Sequence, residues 1–182
     1  RAANFVLGVT EAQLNKTHEY AAVRDNQLRT LKHIGAFTGS LPKASDRALV
    51  DPYDSSQEIE KRARSYLHVN CSVCHVEAGG GNSKMELGFG TKEERMNLLS
   101  ARPQHDTFGI DNAMLVFPGD PNRSVLYQRI SRRGVGQMPP LVSRQVDERA
   151  RILIHDWIKQ MKTAQTFVRD WKMEDLLPDL SG

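Results

Sequence analysis

Two cysteines stand three positions apart, and a histidine follows the second: Cys71-Ser72-Val73-Cys74-His75. Two thiols at this spacing can form a redox disulfide, ligate zinc, or add across the two vinyl groups of one haem. A redox disulfide wants a βαβ context, and the flanks here read as helical. A zinc site needs four ligands. The chain has only these two cysteines and no H-x3–5-H pair to complete the set. The third chemistry uses every residue of the motif, because C-x-x-C-H is a c-type haem attachment. Cys71 and Cys74 would form thioethers, and His75 would offer an imidazole nitrogen to the iron. One covalent haem c is therefore expected, with Cys71, Cys74 and His75 holding it.

The sixth iron ligand must come from elsewhere. The other histidines are His18, His33, His68, His105 and His155; the methionines are Met85, Met96, Met114, Met138, Met161 and Met173. Met138 is the expected ligand. It lies in Gly134-Val135-Gly136-Gln137-Met138-Pro139-Pro140, where two prolines restrict the backbone and leave less freedom to lose. Methionine also fills cores, and that remains the plain alternative. His105 is the runner-up. His68 precedes the motif too closely to reach the opposite face, and His155, beside Asp156, is expected to be solvated.

Helices must position these groups. Ser55, with Glu58 three residues on, predicts a capped helix. Ile59, Ala63, Tyr66 and Leu67 then form one face, and the helix runs into Cys71. Gly79-Gly80-Gly81 forces a loop. The stretch 91–99 could be one helical piece. Asp120-Pro121 reads as a cap and first helical position, with Val125, Leu126 and Ile130 as the stripe. Asp147 opens the last helix, where Ala150, Leu153, Ile154, Trp157, Ile158 and Met161 give the cleanest amphipathic pattern. Upstream, Thr10 with Gln13 is a capping box, and Leu28, Leu31 and Ile34 recur at helical spacing up to Gly35. No convincing strand alternation or internal repeat is visible. The expected class is mainly α, with a helical extension at 1–52, a haem domain at 53–162 and a tail or linker at 163–182.

Hydrophobic residues are 39% and aromatics 7% of the 182 residues, a thin supply of core that a buried apolar cofactor would supplement. The net charge of +3 comes without a Lys/Arg block or an aromatic-interleaved basic stripe. Nucleic acid is therefore not expected as a partner, and an acidic protein surface is a milder match. No apolar run of 18 residues exists, so no transmembrane segment is expected, and no signal peptide is read at Arg1-Ala2-Ala3-Asn4. Without an initiator Met, the chain reads as a processed product or a piece of something longer.

Helix, C-x-x-C-H, loop, helix, methionine loop, amphipathic helix: this order resembles class I cytochromes c over roughly residues 52 to 162. The resemblance implies that the helices at 56–70 and 147–162 cross and pack. Asp51-Pro52-Tyr53-Asp54, the run from Arg62 to Cys71, Pro118-Gly119-Asp120-Pro121 and Gln137-Met138-Pro139-Pro140 are more closely similar to cytochrome c domains of large bacterial multidomain haem proteins. Those domains often accompany a β-propeller resembling sugar dehydrogenases. Trp171 to Pro178 looks like a linker into a further cytochrome domain. The family often has a proline soon after the motif whose carbonyl orients the histidine; Val76-Glu77-Ala78-Gly79 has none. Pro103 could take that part, with Arg102 for a haem propionate.

Electron transfer is the function this implies, with His/Met ligation, no catalytic residue and so no enzyme activity. The partner would be a redox protein or a neighbouring dehydrogenase or cytochrome domain, in the periplasm or otherwise outside the cytoplasm. The alternative is an open sixth position, as in a peroxidase-like enzyme or a ligand sensor, with Arg102 and His105 as distal groups.

Overall fold

A computed structural model of the chain describes residues 10–36, 39–41, 48–99, 101–140 and 143–162. These residues form helices α1 (Glu11–Leu14), α2 (Gln27–His33), α3 (Ile59–Cys71), α4 (Val125–Ile130) and α5 (Glu148–Gln160), and strands β1 (Thr17–Glu19) and β2 (Arg24–Asn26). The fold is thus mixed, helical with one small sheet. It divides into two compact units, Arg1–Asn97 and Leu98–Gly182.

In the first unit, the Thr10 N–H donates to the Gln13 side chain (2.7 Å) and starts α1 as its sequence predicts. The expectation of no strand is corrected, because β1 and β2 form an antiparallel hairpin that pairs Thr17 with Asn26 and Glu19 with Arg24. Its residues, Thr-His-Glu and Arg-Asp-Asn, are polar throughout, so there was no alternation to read. Asn26 ends β2 and caps α2, its side chain accepting from the Leu28 N–H (3.0 Å) and donating to Asn15 (3.0 Å). Leu28 is buried and Ile34 is exposed, so the expected stripe stops short. Gly35, at φ +76°, turns the chain out of α2.

The start of α3 also differs from expectation. Ser55 is not its cap: the helix begins at Ile59 with Glu58 at the N-cap position and no side-chain bond there. Asp54 organises the approach instead, accepting from the Ser56 N–H (2.9 Å) and hydroxyl (2.7 Å). Ala63 and Leu67 are fully buried, as the pattern requires, and so is Ser65. That serine has a partner, since its hydroxyl accepts the Val50 N–H (3.1 Å). Arg62 donates to the Pro52 carbonyl (2.9 Å), and the Leu49 N–H donates to Ala12 (3.0 Å). Residues from the N-terminal segment are therefore stitched to the helix that carries the motif. The stretch 91–99 holds only a 3-10 turn, Glu93–Arg95. Asn97, at φ +49°, prevents its continuation as a helix.

In the second unit, Asp120 accepts from the Asn122 N–H (3.0 Å) with Pro121 first in the turn. The helix expected from there is split into a 3-10 turn, Pro121–Arg123, and α4. The break is at buried Ser124, whose hydroxyl accepts the Phe117 N–H (2.9 Å) and donates to the Asp120 carbonyl (2.8 Å). A serine so engaged holds the backbone extended. Asp147 caps α5 through the Ala150 N–H (3.0 Å). Ala150, Leu153, Ile154, Trp157 and Ile158 are all buried, with Val125, Leu126, Tyr127 and Ile130 of α4. Each fully buried large apolar side chain contributes about 1.5–3 kcal/mol. Residues 163–182, read as a tail or linker, lie outside the described residues.

Candidate functional site

The last residue of α3 is Cys71, and the chain keeps turning past it. The Cys74 and His75 N–H groups both donate to the Cys71 carbonyl (3.1 and 2.9 Å). The Ser72 hydroxyl donates to the His68 carbonyl (2.7 Å) and ties the helix end down. Cys71 is half-buried, Cys74 is exposed and His75 is buried. Burial, with Cys74 nearby, pushes the Cys71 thiol up to about 12. Its free thiol is therefore neutral at physiological pH, whereas a thioether carries no such penalty.

The residues after the motif close around it. Gly81 N–H donates to the Cys74 carbonyl (3.0 Å), and Leu87 N–H donates to the His75 carbonyl (2.8 Å). The glycine run serves this approach. A Cβ on Gly79 would overlap the Cys74 carbonyl oxygen, and one on Gly81 would stand 2.8 Å from His75 Nδ1 and 2.9 Å from Cε1. The Nδ1–Cε1 edge of the imidazole thus rests on the Gly81 backbone. Nδ1 is buried and makes no hydrogen bond of normal geometry. Burial pushes the imidazole pKa down, and the Ser83 main chain pulls it partly back up. Ser83 is the backbone group acting on this ring, a position no sequence pattern marked.

Met138 lies in the second unit, half-buried, and its N–H donates to the Arg129 carbonyl (3.0 Å). The Met138–Pro139 peptide is cis. Gln137 wraps the loop on itself, accepting the Gly134 N–H (2.7 Å) and donating to the Pro139 and Ser143 carbonyls (3.0 and 3.1 Å). The stiffness expected from two prolines is therefore reinforced by Gln137 and Arg129, whose parts sequence reasoning missed.

The rival ligands are placed otherwise. His105 and Arg102 are exposed. His155 is bonded to Asp156 (2.8 Å). His68 is half-buried, with Nδ1 accepting the Phe89 N–H (3.3 Å). His18 packs edge-on against Tyr20, and His33 is exposed. Met96 is buried; Met85, Met114 and Met161 are half-buried. Met173 lies outside the described residues. Among the described residues no three His, Cys, Asp or Glu side chains converge as a chelating group. A c-type site needs no such convergence, because its thiols bond to carbon and, of these four residue types, only the imidazole addresses metal.

No protein-family model, curated protein or solved structure matches the chain. Among the described residues no helix is long and apolar enough to cross a membrane.

Proposed function

We propose that this chain is a class I cytochrome c domain that transfers single electrons through one haem c, bonded to Cys71 and Cys74 and ligated by His75 and Met138. The observation that carries the reading is the state of the motif. C-x-x-C-H continues directly from α3, with a buried imidazole whose Nδ1 edge is backed by the Gly81 main chain. That packing holds the ring by its Nδ1–Cε1 edge and leaves Nε2 as the nitrogen for iron. When bound, the haem supplies an iron couple between the ferric and ferrous states, whose potential a methionine ligand raises.

The chain's own residues divide the work. Cys71 and Cys74 would anchor the group permanently, His75 would supply one iron ligand, and Met138 would supply the other, leaving no position for a substrate. The reading places the domain outside the cytoplasm, serving a redox partner or a neighbouring dehydrogenase or cytochrome domain.

Covalent attachment is tested on a denaturing gel stained for haem, together with an intact mass; haem removed by acid acetone would overturn it. Cys71→Ala and Cys74→Ala should each leave at most one thioether. Met138→Ala should abolish the near-infrared band that a sulfur ligand gives ferric iron, lower the potential and open the iron to carbon monoxide. A wild-type ferrous protein that already binds carbon monoxide readily would replace the relay with the open-site reading.

A further inference from the structure

The loop that carries Met138 is gripped from two sides by one residue. Arg129, in α4, accepts the Met138 N–H on its carbonyl (3.0 Å), and its Nη1 donates to the Gly136 carbonyl (3.0 Å). Its guanidinium carbon lies 5.0 Å from the centre of the Phe108 ring, and that of Arg132 lies 3.6 Å away. The edge of the same ring meets Gly136, where a Cβ would stand 2.7 Å from Phe108 Cε1. Gly136 is at φ +79° and Phe108 itself at φ +57°. An L side chain at 136 would be strained as well as crowded.

The charge pattern offers Arg129 no opposite charge nearby in the sequence. From residue 121 to 146 the sequence has five arginines and no Asp or Glu. Among the described residues Arg129 has no carboxylate partner, and its guanidinium spends its directional bond on the Gly136 carbonyl. A half-buried arginine that serves no ion pair and no helix surface is explained by the loop it holds.

We propose that Arg129 is the positioning residue for the Met138 thioether, acting as a guanidinium bolt between α4, Phe108 and the Gly136 carbonyl. The proposal rests on Met138 being the distal ligand. A thioether is a neutral, weak ligand, so its occupancy depends on how fully the loop stays in its binding-competent form. Removing the guanidinium withdraws a charged donor from the Gly136 carbonyl and one of the two guanidinium contacts of the Phe108 ring, while Arg132 keeps the other. The loss of one such bond shifts a closed-to-open equilibrium by roughly tenfold or more.

The test uses the intact haem-loaded chain. Arg129→Met keeps the aliphatic stem and removes the guanidinium. It should weaken the near-infrared sulfur–iron band and raise the affinity of the ferrous protein for carbon monoxide roughly tenfold, with haem content and far-UV circular dichroism unchanged. Arg129→Lys restores a donor for Gly136 but no planar face for Phe108, and should recover part of both signals. Arg123→Gln is the control for a merely structural role. Arg123 also stacks on a ring (Phe117, 3.8 Å) and bonds a carbonyl (Asn112, 3.2 Å), but with no bond to the Met138 loop. It should leave band and affinity at wild-type values. If Arg129→Met does not accumulate, Phe108→Leu gives the same readout, because it removes the ring and spares both hydrogen bonds. Wild-type band and affinity in Arg129→Met or Phe108→Leu, while Met138→Ala loses the band, would overturn the proposal and leave the ligand reading standing. A band that survives Met138→Ala would overturn both.

Discussion

Three consecutive glycines follow the motif, and they are not equivalent. Gly79 and Gly81 approach the backbone and ring of the motif too closely for a Cβ, while a Cβ on Gly80 would meet nothing within 4 Å. Gly79→Ala forces a Cβ against the Cys74 carbonyl, where no flexible side chain can yield, and should cost about 1–3 kcal/mol in a urea melt of the protein. Gly81→Ala pushes on the His75 ring and, if His75 holds the proposed haem, should show first as a shift in its spectrum. Gly80→Ala should stay within about 0.5 kcal/mol of wild type. Equal effects from all three would mean that the run is only a flexible spacer. At this scale C-x-x-C-H was legible because its spacing is local and covalent. Which glycines matter was not legible, and neither was Ser83 beside the imidazole, because both depend on where the chain returns in space.

Helix ends show the same division between local and tertiary information. Asp147 and Asp120 were readable because their acceptors serve N–H groups two or three residues ahead. Asp147→Ala should cost about 1 kcal/mol of stability in thermal or urea unfolding. Ser55 looked equally good and was displaced, because Asp54 binds Ser56 and the chain before α3 is fixed from a distance by Val50–Ser65 and Pro52–Arg62. The Ser56 hydroxyl and N–H hold the Asp54 carboxyl below its ordinary value of 3.8. A carboxyl with a depressed folded-state pKa stabilises above its unfolded value and loses that contribution as pH falls through the folded one. Asp54→Ala should therefore be less stable than wild type at neutral pH. The gap should close as the pH drops below about 4. A gap that is the same at pH 3 and pH 7 would remove the carboxylate from the account.

At the scale of the whole chain, the material for a core is limited. Aromatics are 7% of the residues, and among the described residues the largest fully buried side chains are aliphatic, such as Leu67, Leu98, Ile154 and Ile158. A haem would add apolar surface that these cannot supply. The haem-free chain should have little near-UV circular dichroism, and Cys71 and Cys74 should react with iodoacetamide at similar rates at mildly alkaline pH. A folded apoprotein would differ clearly: exposed Cys74 would react much faster than Cys71, whose buried thiol is pushed up to about 12. Helix periodicity alone brought the sequence reading close for α3, α4 and α5. It could not show that segments before residue 52 are stitched to α3 in the unit Arg1–Asn97, because those ties are single long-range hydrogen bonds with no sequence period.

Val135 stands at the tip of the Met138 loop, between two glycines at φ +93° and +79°, and is 93% exposed. If both native thiols are held in thioethers, as proposed, Val135→Cys would give the chain a single free thiol, three positions from Met138. A maleimide dye or a gold surface could be attached there with little packing to disturb. The protein could then be wired to an electrode in one defined orientation, and the rate of electron exchange through that tether would report directly on the loop it hangs from.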